Sequence, residues 1–188
     1  MKRTKVLLAA LCAATATLTC TTATAAFASR SAPRAKPAAA TPACTAADLG
    51  AWLAVNHAGA GAGTLYVPLE FTNLSKQACT LEGFPGVSAL ASNGSQLGDA
   101  ARRYDADKET GVRLAADQSA FALLGYEQAG IASCASKDVR TAYELRVYAP
   151  GASQAIDIPW DWATCIKGGN ADFLTVTVVT PIGTNGIG

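Results

Sequence analysis

The sequence predicts an all-β fold, an antiparallel β-sandwich of about seven or eight strands tied by two disulfides, and three observations carry that expectation. Short apolar-polar alternations recur between turn signals from residue 64 to residue 182. Four cysteines, Cys44, Cys79, Cys134 and Cys165, follow an export signal, and an even count in an exported chain reads as disulfides. Residues 44–188 number 145, the size of one domain with one core, and no internal repeat divides them.

Residues 1–28 begin with Lys2, Arg3 and Lys5, continue through an apolar Ala/Thr-rich middle and end on Ala26-Phe27-Ala28, the small-x-small pattern of a secretory signal peptide. Its apolar run is too short, and too interrupted by threonines, for the roughly 20 residues that span a bilayer. Cleavage is expected after Ala28 or after Ala25. Lipid attachment at Cys12 or Cys20 would need a leucine three residues earlier, where Ala9 and Thr17 stand. Residues 29–43 hold three prolines, six alanines and three basic residues, and they offer no apolar face whose burial could offset the entropy of ordering. They read as a disordered basic tether. Arg30, Arg34 and Lys36 could touch an anionic wall polymer, although three charges suit a plain spacer better.

The first strand of the domain is placed within residues 46–55, where Leu49, Ala51, Leu53 and Val55 alternate despite an alanine-rich composition that also suits a helix. The clearest strand follows, since Leu65, Val67, Leu69 and Phe71 alternate with Thr64, Tyr66, Glu70 and Thr72. Asn73 and the polar residues up to Gln77 supply a turn, Cys79 opens a second apolar run, and Gly83-Phe84-Pro85-Gly86 breaks its ladder at a corner.

The glycine-rich loop at residues 59–63, the strand ending in Phe71-Thr72-Asn73 and the run CTLEGFPGVSAL, with Gly83, Pro85, Gly86 and Val87, resemble an actinobacterial secreted family known as domain of unknown function forty-two thirty-two. The resemblance covers the chain from Cys44 to the C-terminus and includes all four cysteines. It implies an immunoglobulin-like sandwich exported from a high-GC Gram-positive bacterium. It carries over no activity and no catalytic residue.

Further strands are expected around Val112 and Leu114, across residues 120–124, along Tyr143, Leu145 and Val147 with Glu144, Arg146 and Tyr148 outside, and at Ile156 and Ile158. Pro150-Gly151-Ala152-Ser153 reads as a hairpin turn. Leu174, Val176, Val178 and Ile182 read as the inner face of a last strand with threonines outside. Four cysteines allow three pairings, and strand order chooses among them. Cys44 precedes one strand and Cys79 follows its antiparallel neighbour, while Cys134 and Cys165 flank the second hairpin in the same way, so Cys44–Cys79 and Cys134–Cys165 are expected.

Composition excludes more functions than it selects. The domain carries nine Lys/Arg against fourteen Asp/Glu, a net charge of −5, which argues against nucleic-acid binding. Its basic doublet, Arg102-Arg103, reads as part of a solvated loop. His57 is the single histidine, no Cys-x-x-Cys occurs and no Gly-x-Ser-x-Gly elbow is present, so zinc and triad chemistry lack a signal. Asp105, Asp107 and Glu109 alternate without the glycine and spacing of a Ca²⁺ loop. Asp157 with Asp161, or Asp105 with Asp107, are nominal carboxylate pairs for glycoside hydrolysis. The reading therefore assigns no catalytic residue, no metal and no cofactor. It expects a secreted or cell-envelope-associated monomer that binds a protein or cell-wall polymer, with a small hydrolase or a purely structural envelope protein as alternatives. Trp160-Asp161-Trp162, at the end of the second hairpin, is the candidate binding surface if the chain leaves strand geometry at Pro159. Trp160 otherwise continues the inner face of Ile156 and Ile158 and plugs the sandwich with Trp162.

Overall fold

A computed structural model describes residues 40–61, 63–104, 108, 111–127, 134–166 and 173–182. The export signal with Cys12 and Cys20, most of the tether, and the acidic positions Asp105, Asp107 and Glu109 lie outside the described residues. The described chain is all-β apart from two single-turn 3-10 helices. Its strands are β1 (Leu49–Leu53), β2 (Gly59–Gly61), β3 (Thr64–Asn73), β4 (Cys79–Leu81), β5 (Gly86–Leu90), β6 (Gln96–Leu97), β7 (Arg102–Arg103), β8 (Val112–Leu114), β9 (Ser119–Glu127), β10 (Val139–Tyr148), β11 (Ala155–Cys165), β12 (Leu174–Val176) and β13 (Thr180–Pro181).

Seven strands form one sheet in the order β1-β3-β9-β12-β7, with β2 also on β3 and β13 also on β9. A second sheet runs β11-β10-β5-β6, and β4 pairs with β8 separately. The inner faces of the two larger sheets supply Val67, Leu69, Phe71, Ala122 and Leu124 from one side and Val87, Ala89, Leu145 and Val147 from the other, all buried in one core. This arrangement is consistent with an immunoglobulin-like sandwich. The strand count exceeds the expected seven or eight because β2, β6 and β7 are two or three residues long, too short to show a period of two, and because the expected last strand is split into β12 and β13. One pair also departs from the expected antiparallel pattern, since β7 lies parallel to β12 with Arg102 opposite Thr175. The Arg102-Arg103 doublet is thus a short, exposed edge strand and not a loop, a charged edge of the kind that discourages pairing with other chains.

The central strand β3 keeps its expected parity and contains Pro68, which has no N–H to give a ladder. β1 ends opposite Leu69 and β2 begins opposite Tyr66, so the proline falls where one edge partner leaves and the next arrives, and its carbonyl still accepts from Ala54 N at 2.9 Å. Gly83 takes a φ of 99°, which a side chain rarely adopts, as the chain passes from β4 to β5 and so between sheets.

Three parity expectations need correction. Val55, expected to continue the inner face of the first strand, lies past the end of β1 in a 3-10 turn and is exposed. The register of β10 against β11 shifts between Ala142 and Glu144, which turns Ala142 and Leu145 inward and leaves Tyr143 50 % exposed. The last strand breaks after β12, where Val178 and Val179 are both buried, and Ile182 consequently emerges 54 % exposed. Both disulfides match the expected pairing, Cys44–Cys79 and Cys134–Cys165. Antiparallel registers bring their ends together, Leu49 opposite Asn73 for the first and Val139 opposite Cys165 for the second.

Candidate functional site

Strand β11 continues unbroken through Pro159 to Cys165. Trp160 and Trp162 therefore share the inner face with Ile156 and Ile158, while Asp161 is exposed on the other face. Both indoles are half-buried against Tyr126, each edge-on to it with ring centroids at 4.8 and 4.9 Å. Burial pushes the Tyr126 phenol above its usual range. The structure thus separates the three residues of this candidate surface, placing two side chains in a packed aromatic cluster and one in solvent.

The nominal carboxylates of β11 are no better joined. Asp157 and Asp161 are four positions apart on a strand, about 13 Å, beyond the roughly 5–9.5 Å that glycosidase pairs require. Asp157 receives two hydrogen bonds from Arg146, at 3.0 Å from Nε and 2.9 Å from Nη2, and the guanidinium holds its carboxyl below the ordinary range. That is the opposite of the raised value a general acid needs. His57 lies in a 3-10 turn and lines a shallow hollow with Pro68, Glu70, Phe121 and Ile182.

Four strands build a different site on the outer face of the seven-stranded sheet. Their registers align Tyr66 of β3, Gly125 of β9, Thr175 of β12 and Arg102 of β7 in one row across the sheet. The neighbouring rows contribute Thr64 opposite Glu127 on one side and Leu123 beside Thr177 on the other. Tyr104, just past β7, is held to β12 by its N–H donating to Val176 O at 2.9 Å. These residues line a trough of about 370 Å³, within the usual range for small-ligand sites.

Gly125 lets the Tyr66 ring and the Thr175 side chain pack down onto the sheet beside the trough. A Cβ there would stand 2.5 Å from Thr175 Oγ1 and 3.0 Å from Tyr66 Cε1, so any side chain would displace the tyrosine ring that borders the trough. Tyr66 is 37 % exposed and Tyr104 53 %, so two aromatic rings remain accessible at a site with hydroxyls between them. The Thr177 hydroxyl is committed, accepting from Leu123 N at 2.8 Å and donating to Val178 O at 3.2 Å. Thr64 and Thr175 have no such side-chain commitment among the described residues. Sequence reasoning missed this site because its residues come from four separated strands, and the single local signal was a glycine inside an apolar run.

Residues 44–180 match the family described as Domain of unknown function (DUF4232). The chain belongs to this family. The DUF4232 match runs from the first bridge cysteine into β13, so it takes in both disulfides and every residue lining the trough. No curated protein and no solved structure matches the chain.

Proposed function

We propose that this DUF4232 domain is a non-catalytic binding module of the extracellular or cell-envelope compartment, and that it engages its ligand through the trough beside Gly125. The observation that carries the reading is the concavity of about 370 Å³ on the sheet face beside the row Tyr66-Gly125-Thr175-Arg102, bordered by two accessible tyrosines. Concave sites with aromatic walls and a few directed polar groups are the usual form of ligand sites. The compartment is supported by the signal-like residues 1–28 and by two disulfides, which persist in oxidising surroundings. Among the described residues no helix is long and apolar enough to cross a membrane.

The test is capture on the immobilised chain from culture medium and solubilised cell wall of the producing organism. The intact chain is expected to retain a component that a Thr175→Trp variant, whose indole fills the trough, does not. Equal retention by the two chains, or none by either, overturns the reading.

A further inference from the structure

We infer that the ligand of this trough is a neutral oligosaccharide chain; the inference rests on the binding-module reading above. Charge comes first. The lining holds one cation, Arg102, and one anion, Glu127, so it selects for no net charge, and the acidic domain around it repels polyanions. A phosphate-rich ligand would call for several unopposed cations, which the lining does not supply.

Hydrogen-bonding chemistry narrows the class. A sugar hydroxyl both donates and accepts, and the trough answers with threonine and tyrosine hydroxyls that do either. The apolar part of the lining is mostly aromatic, Phe173 and the two tyrosines with Leu123 as the one aliphatic side chain. The C–H face of a pyranose ring needs only a flat aromatic partner, and tyrosine provides that together with a polar tip.

Spacing then sets the length. Tyr66 lies on β3 with its ring over Gly125 of β9, and Tyr104 follows β7, two inter-strand steps beyond β9 in the order β3-β9-β12-β7, or roughly 10 Å. The two rings therefore serve different sugar units of one chain. Thr175 and Leu123 lie between them in the lining.

Affinity electrophoresis tests this with defined probes: the purified chain is run through gels containing hydroxyethylcellulose, mixed-linkage β-glucan, arabinoxylan, galactomannan or dextran, with polygalacturonate as a polyanion, at salt high enough to screen surface charge. At least one neutral polymer is expected to retard the chain, with the corresponding monosaccharide a far weaker competitor than its oligomer. Tyr66→Ala and Tyr104→Ala should each weaken retardation about tenfold, and Thr175→Val by less. Tyr104 lies beyond a strand end, so its variant keeps the test valid if the Tyr66 variant unfolds, and melting curves report on both. No retardation by any neutral polymer, retardation that both tyrosine variants retain, or retardation by polygalacturonate alone overturns the inference. Trough-dependent capture of a protein in the preceding experiment, with every gel silent, leaves the binding-module reading standing and removes the saccharide.

Discussion

Asn73, the last residue of β3, is fully buried and commits both ends of its amide to the chain around it. Its Nδ2 donates to Gln77 O at 2.8 Å and shares its hydrogens with Leu114 O and Ala115 O at 3.2 Å, while Oδ1 accepts from Ser75 N at 2.9 Å and Ser75 Oγ at 2.8 Å. The residue thereby fastens the turn after β3 to the corner between β8 and β9, where Asp117 adopts a φ of 60° and its N–H donates to Asn73 O. Asn73→Ala would strand several of these groups away from water, and we expect it to cost on the order of 3 kcal/mol. Urea denaturation should show a lower midpoint at an unchanged slope. A shift below about 0.5 kcal/mol would mean that water replaces the amide. From sequence, Asn73 was legible only as a polar turn residue. Its type and its local partners Ser75 and Gln77 fit a turn, but Leu114 and Ala115 lie some forty positions downstream and leave no local trace.

Strand β11 shows what alternation can and cannot reveal about an element. The even-numbered positions Ile156 to Trp162 keep one face, as the sequence suggests, although β11 carries an extra residue against β10 between Pro159 and Trp162. Across the ladder in β10, the same reasoning fails at Tyr143, since a register shift depends on how two strands fit and not on either alone. The consequence for the tryptophans is measurable. Trp160 and Trp162 pack on Tyr126, whereas Trp52 of β1 is 39 % exposed. Acrylamide should therefore quench one class of emission readily and the rest poorly, and Trp52→Phe should remove most of the readily quenched component. If Trp160→Phe or Trp162→Phe removes it instead, the β11 indoles face solvent and regain their claim as a contact surface.

At the scale of the molecule, the pairing of the cysteines was legible because each bridge joins the ends of neighbouring antiparallel strands. The sheet order was not, since β3 and β9 are distant in sequence and β7 pairs through two residues. The trough inherits that opacity. The bridges close loops of 35 and 31 residues, and the chain-entropy argument gives about 4 kcal/mol for each. Cys44→Ala with Cys79→Ala should lower unfolding free energy by about that amount while nonreducing peptide maps still recover Cys134 joined to Cys165. Recovery of a crossed link in the intact chain would break the strand order as well as the pairing.

The wide separation of β3 from β9 has a kinetic side. Thr72 pairs with Ser119 and Val87 with Val147, so both large sheets wait on contacts between segments some fifty or sixty residues apart. Neither bridge spans those intervals, because each ties together strands that are already local neighbours. Loop closure must be paid before such pairings return anything, and domains built on them fold in roughly milliseconds to seconds. During that interval the edges of β3 and β9 that will face each other are unpaired, and the chain is most exposed to chaperones, proteases and its own copies before its sheets have closed.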